Sequence, residues 1–223
     1  MADDKEPLRP LSPAQRKALE EAVACYQETA TPEVGEWLEA RGITPELADE
    51  FRLGVVVDPM PGHGKFRGYL AIPYLDHNGA PLTIRFRCLE EHVHRDHYHG
   101  KYMSVEDEPV RMFNIGAIHR AGDTIHVAEG ELDAIILNAM GLPAVGAPGV
   151  ESWAGRHRRM LAGFSKVWVW ADPDDAGAKL TSKITRSLRS AQAVSLRQEH
   201  GDVTDLYVAG GPAALLELIE ERG

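Results

Sequence analysis

From Ser12 to Gly54, apolar residues recur at helical spacing in three short blocks, each opened by a capping residue and a proline. SPAQRKALEEAVACYQETA (12–30) predicts a helix with Ser12 as N-cap and Pro13 at its first position. PEVGEWLEARG predicts a second helix, stopped by Gly42, and TPELADEFRLG a third between Thr44 and Gly54. The pattern then changes. VVVD, GYLAIPYLD and PLTIRFRCL predict strands, the last two joined by the turn DHNGAP with Asn-Gly at its centre. EEHVHRDHYHG reads as a polar loop, and KYMSVEDEPVRMFNIGAIHRAG leads into the last third.

Residues 123–223 alternate between strand and helix. DTIHVAE, LPAVGAPG, KVWVWAD and AQAVSLRQ predict strands, with helices at ELDAIILNAMG, SWAGRHRRMLAG and AGAKLTSKITRSLRS between them. A loop EHGDVTD and a last helix GPAALLELIEERG complete the series. Such alternation means βαβ units and a mostly parallel sheet flanked by helices. The fold class expected is therefore α/β. A mixed helical and β subdomain over 1–120 precedes a second domain over 121–223.

Composition narrows the classes. Hydrophobic residues make up 43% of the 223, an ordinary globular proportion, and no apolar run reaches the ~20 residues of a membrane helix. The opening MADDKEPLRP is polar and acidic, unlike a secretory leader, so a cytoplasmic location without membrane contact is expected. Cys25 and Cys88 are the only cysteines, too few for a disulfide framework or a four-cysteine zinc site. Net charge is −10, which excludes a chain coated in basic charge. Only the stretch 61–120 lacks an acidic excess, with 7 acids against 8 bases and seven of the ten histidines. Four of these, His92, His94, His97 and His99, crowd one loop. His-x-His pairs can bind zinc, but with no cysteine in the loop to support them a solvated or phosphate-facing loop is expected.

In a parallel sheet, sites form outside the carboxyl ends of the strands. Glu129 ends the first strand of the last third, with Gly130 giving a tight exit, and Asp133 falls in the first turn of the next helix. Asp172 ends the third strand and Asp174 follows two residues later; Asp202 and Asp205 lie in the loop after the fourth. Taken singly, each acid reads as a helix cap. Three acidic clusters at one sheet edge read instead as a site for Mg²⁺ or Mn²⁺, which prefer hard oxygen ligands.

The sequence AEG-ELD, then WADPDDAG some forty residues on, then GDVTDL resembles the three-part signature of topoisomerase–primase (Toprim) domains. The resemblance implies that Glu129 is the catalytic glutamate and a metal ligand. It makes Asp172 and Asp174 the metal-binding pair, and Asp133, Asp202 and Asp205 accessory acids. Two departures stand out. Pro173 occupies the middle of the Asp-x-Asp, where bacterial primases have glycine, and the last two acids are separated by two residues rather than one.

The upstream region narrows the family. KFRGYLAIPYLDHNGAPLTIRFRCL, KYMS and RMFNIGAI, together with helices carrying an Arg-Gly-Ile turn, resemble the segment ahead of the Toprim domain in bacterial and phage DnaG-type DNA primases. By position, Arg67, Arg87 and Lys101 correspond to basic residues of the primase groove that binds template and nucleotide. The resemblance implies DNA-templated RNA primer synthesis, a nucleotidyltransferase activity with single-stranded DNA and ribonucleoside triphosphates as partners. Toprim domains also serve metal-dependent nucleases, and a non-catalytic nucleic-acid-binding accessory subunit is the third reading. The chain shows neither the cysteine-rich zinc-binding domain nor the helicase-interacting domain of bacterial primases. A phage-like or split primase is therefore expected, with a separate zinc-binding subunit and a replicative helicase as partners.

Overall fold

A computed structural model describes residues 8–220. Residues 1–7 of the N-terminal stretch and 221–223 of the last expected helix lie outside the described residues. The chain divides into two compact units at Pro109/Val110, ahead of the 120/121 division expected. The reason is local: Phe113 exchanges backbone hydrogen bonds with Gly146 (3.0 and 3.2 Å), and Asn114 donates its amide to the Ala144 carbonyl. Those contacts tie the segment after Val110 to the second sheet.

The first unit begins with α1 (Pro13–Glu28), α2 (Pro32–Glu39) and α3 (Pro45–Glu50). Ser12 and Gln15 cap α1 reciprocally, side chain to backbone in both directions. A four-stranded antiparallel sheet follows in sequential order: β1 (Gly54–Val55), β2 (Leu70–Leu75), β3 (Pro81–Arg87) and β4 (Tyr102–Met103). The turn between β2 and β3 falls within the expected DHNGAP segment. Asp76 Oδ1 accepts from the N–H groups of Asn78 and Ala80, and Gly79 takes the left-handed conformation (φ 83°). The core of this unit gathers Val23 and Tyr26 of α1, Phe66, and Ile84 and Phe86 of β3, with Phe66 and Phe86 stacked 3.9 Å apart.

The second unit contains α4 (Gly116–Arg120), β5 (Thr124–Ala128), α5 (Glu131–Ala139), β6 (Ala144–Gly146), α6 (Gly155–Leu161) and β7 (Lys166–Ala171). It ends with α7 (Asp175–Ser187), β8 (Ala191–Ser195) and α8 (Val203–Glu220). All pairings are parallel, in the order β6-β5-β7-β8, as the strand–helix alternation predicts. Ile125, Val127, Val145, Val167 and Val169 of the sheet pack with Leu161, Leu180 and Ile184 of the helices and with Trp153 ahead of α6. The last helix starts earlier than expected, at Val203, and breaks at Gly211 (φ 66°) ahead of Pro212. Proline cannot supply the helical N–H, so the two halves meet at a kink. Among the described residues, no helix is long and apolar enough to cross a membrane.

Candidate active site

β5 and β7 are neighbours, with Ala128 paired to Trp170, so the residues following them leave the sheet side by side. The Glu129 N–H donates to the Trp170 carbonyl (2.9 Å), which extends the ladder one residue beyond β5. In return the Asp172 N–H donates to Glu129 Oε2 at 3.1 Å. Glu129 is half-buried. Burial pushes its carboxyl above the usual range, and the charges of Asp172 and Asp174 push it further; the Asp172 N–H opposes both.

The glycines at this edge are steric requirements. A Cβ on Gly130 would stand 2.7 Å from Asp133 Oδ2, and one on Gly177 would stand 2.1 Å from the Asp172 carbonyl oxygen. Gly130 leaves room for the buried Asp133 carboxylate, and Gly177 lets the first turn of α7 close onto the backbone of Asp172.

Asp174 is the N-cap of α7, its Oδ1 accepting the Gly177 N–H at 2.8 Å, and its side chain is exposed. Asp172 and Asp174 line an open cleft of about 1430 Å³ together with Lys179, Ser182, Ser195 and Gln198. Sequence reasoning passed over Lys179. It stands one turn into the helix that follows the Asp-x-Asp, and its position there was the available signal.

Asp133 sits differently from the loop acids. It is 6% exposed, and its Oδ1 accepts both the N–H (3.0 Å) and the hydroxyl (2.8 Å) of Thr204. Burial, with the Asp202 charge next in size, pushes its carboxyl up to about 7. This contact ties α5 to α8. Asp202 and Asp205, expected in a loop, instead start α8: Asp202 Oδ1 accepts the Asp205 N–H (2.8 Å), and Asp205 Oδ2 accepts the Asp202 N–H (3.4 Å). The reciprocal cap begins the helix at Val203, so only the first four residues of the expected loop lie outside α8.

The basic residues belong to the first unit and are not alike. Arg67 is exposed and lies outside the strands, just after a 3₁₀ turn (Gly64–Phe66); it bonds the Val57 carbonyl and faces Asp58 at 3.8 Å. Arg87 ends β3 and is only 8% exposed. Its guanidinium donates to the Tyr102 hydroxyl (2.8 Å) and stacks 4.7 Å from the Trp37 ring, while its Nε is buried without a partner. Lys101 is exposed, and its carbonyl accepts the Cys88 N–H (2.9 Å), so Arg87 and Lys101 stand at the base of one hairpin.

This is the fold of the DnaG primase catalytic core. The structure superposes on the zinc-binding and RNA polymerase domains of the Aquifex aeolicus primase with a TM-score of 0.74 at 22% identity, covering 98% of this chain. The chain spans 64% of that protein's length. It also matches the RNA polymerase domain of Mycobacterium tuberculosis DnaG, solved with a double-stranded DNA oligomer carrying a 6-nucleotide overhang. There the TM-score is 0.76 at 19% identity, over 93% of this chain and 80% of that one. The primase fragment of the bacteriophage T7 primase-helicase aligns more distantly, with a TM-score of 0.59 at 18% identity.

In sequence, the chain is 32% identical to the gene 57 protein of Mycobacterium phage D29 over 158 residues, which is 69% of this chain and 99% of that protein. The chain belongs to the family of that phage protein. No family model matches it.

Proposed function

We propose that this chain is the RNA-polymerase core of a primase, joining ribonucleotides on a single-stranded DNA template into a short RNA primer. The observation that carries the reading is the junction of Glu129 and Asp172 at adjacent strand ends, beside an open cleft, within a primase-core fold.

Glu129, Asp172 and Asp174 suit a hard divalent cation. They offer only carboxylate oxygens, and Glu129 lies among negative charges that raise its proton affinity. Mg²⁺ or Mn²⁺ bound there would supply positive charge to nucleotide phosphates. The chain's own groups do the rest. Glu129, Asp172 and Asp174 would hold the ion, whose charge would favour loss of the proton from the attacking 3′-hydroxyl. Asp172 is fixed by its N–H to Glu129 and by the close approach of Gly177. Asp133 and the Asp202–Asp205 cap hold α5 and α8 behind the site. Lys179 offers a cation to the triphosphate within the same cleft. Arg67 and Lys101, both exposed, meet the sugar-phosphate backbone, while Arg87 acts by holding the hairpin from which Lys101 projects.

The test is primer synthesis from ribonucleoside triphosphates on single-stranded DNA with Mg²⁺ or Mn²⁺, with and without a separate zinc-binding primase subunit and a replicative helicase. Metal-dependent RNA products support the reading. Template cleavage without synthesis supports a nuclease, and binding with neither product supports an accessory subunit.

A further inference from the structure

Among the described residues, one group of side chains brings potential metal-ligating atoms together, and it lies outside the acidic site: Cys88, His92, His94 and His99, with one donor atom of each within 4.8 Å of the others. We propose that these four residues bind one Zn²⁺ ion, which staples the loop between β3 and β4.

The loop's backbone brings the donors together. Cys88 directly follows β3, and its N–H bonds the Lys101 carbonyl one rung beyond the Arg87–Tyr102 pair, so the loop is closed at its base. A 3₁₀ turn over His94–His97 ends at Tyr98 in the left-handed conformation (φ 58°), and the His99 N–H returns to the His94 carbonyl (3.2 Å). His92, His94 and His99 are partly buried, while His97, in the same run, is exposed. A merely solvated loop gives no reason for that selection.

The ring nitrogens point the same way. His99 Nδ1 donates to the Gly100 carbonyl (3.1 Å), and His92 Nδ1 faces the Glu90 carboxylate at 3.5 Å. Both contacts favour the tautomer that leaves a lone pair on Nε2, and the two Nε2 atoms face each other at 3.1 Å. Two facing lone pairs repel unless a cation lies between them. Carboxylate or carbonyl partners on the far nitrogen are the usual supports of metal-bound histidines. His94 Nδ1 is buried with no hydrogen-bond partner, which leaves a third nitrogen available. Cys88, 6% exposed, completes the set. Tetrahedral zinc with Zn–N of about 2.0–2.1 Å and Zn–S of about 2.3 Å needs ligand–ligand separations of roughly 3.3–3.6 Å. The His92–His99 pair, at 3.1 Å, opens by a few tenths of an ångström to reach that range, and the others, within 4.8 Å, close by up to about an ångström. One thiolate with three imidazoles suits zinc and excludes Mg²⁺ and Ca²⁺, which take oxygen.

Cys88 lies outside the polar loop, just past the end of the strand, and adds a sulfur donor to the three histidines. The ion would fix the hairpin whose ends carry Arg87 and Lys101.

The test is the zinc content of the full chain purified from zinc-supplemented cells, together with the visible spectrum after Co²⁺ exchange. About one zinc per chain is expected, along with intense tetrahedral Co²⁺ bands and a near-ultraviolet thiolate-to-cobalt band. Cys88→Ser should abolish the thiolate band, His94→Ala should lower zinc retention at least tenfold, and His97→Ala should keep both. If the variants fail to fold, the spectrum of the unaltered chain decides. Substoichiometric zinc with only weak octahedral Co²⁺ absorption would overturn the proposal, as would a thiolate band that persists in Cys88→Ser.

Discussion

The backbone N–H of Asp172 and the side chain of Glu129 are joined by a hydrogen bond of 3.1 Å across neighbouring strands. One carboxylate oxygen of Glu129 is thereby held by the backbone of the next acidic residue. An amide at this position can still accept that bond. Glu129→Gln should therefore fold with a melting temperature equal to or above that of the unaltered chain, because it removes a carboxylate crowded by Asp172 and Asp174. Single-stranded DNA binding should be kept or strengthened. Thermal melting and fluorescence-anisotropy titration check both; loss of binding would make Glu129 a structural support of the nucleic-acid surface.

Asp174 combines two roles that substitution can separate. Asparagine keeps an oxygen for the Gly177 N–H and removes the charge, whereas alanine loses the cap. Asp174→Ala should cost about 0.5–2 kcal/mol in metal-free buffer, and Asp174→Asn should cost little or stabilise. Urea unfolding of the pair gives the difference. Equal stabilities would mean that the cap contributes nothing.

Two buried groups give stability opposite dependences on pH. Asp133 is raised to about 7, so the folded state holds its proton more tightly than the unfolded chain, and its contribution falls as pH rises from about 4 to 7. His126, inside the sheet with its Nδ1 accepting from the Trp170 indole (2.9 Å), is lowered by burial to about 4. Its contribution is lost as pH falls from about 6.5 to 4. The two slopes oppose each other in that window. Asp133→Asn keeps the acceptor for Thr204 and removes one slope, so stability should rise with pH more steeply than in the unaltered chain, by up to about 1.4 kcal/mol per unit. Denaturant unfolding at pH 4.5 and 6.5 reads the change; an unaltered slope would show that Asp133 does not titrate there.

The basic residues should divide by burial. Arg87→Ala removes the contacts with Tyr102 and Trp37 and should lower the melting temperature. Lys101→Ala and Arg67→Ala should leave stability within about 0.5 kcal/mol. Each should weaken single-stranded DNA binding and flatten its salt dependence by roughly one contact. Calorimetry and salt titrations separate the two groups.

Much of this was legible in the sequence. The parallel sheet follows from strand–helix alternation, and the placement of Glu129 and Asp172 follows from where apolar runs end. What the chain order concealed was set by contacts between distant segments. The burial of Asp133 depends on Thr204, 71 residues away. The start of α8 depends on the Asp202–Asp205 cap, which in sequence reads equally well as a loop. Arg87 looks like a strand-end charge until Trp37 and Tyr102 close over it, and Cys88 reads as a strand residue until the fold sets it beside the histidines.

The central claim is that the Glu129–Asp172 junction supports primer synthesis. Its most direct measurement is the yield of labelled RNA on single-stranded DNA with Mn²⁺ or Mg²⁺, comparing the unaltered chain with Glu129→Gln at equal DNA occupancy. Synthesis by the first and a loss of at least 100-fold in the second, with binding intact, is the expected result; primers made equally well by Glu129→Gln would contradict it.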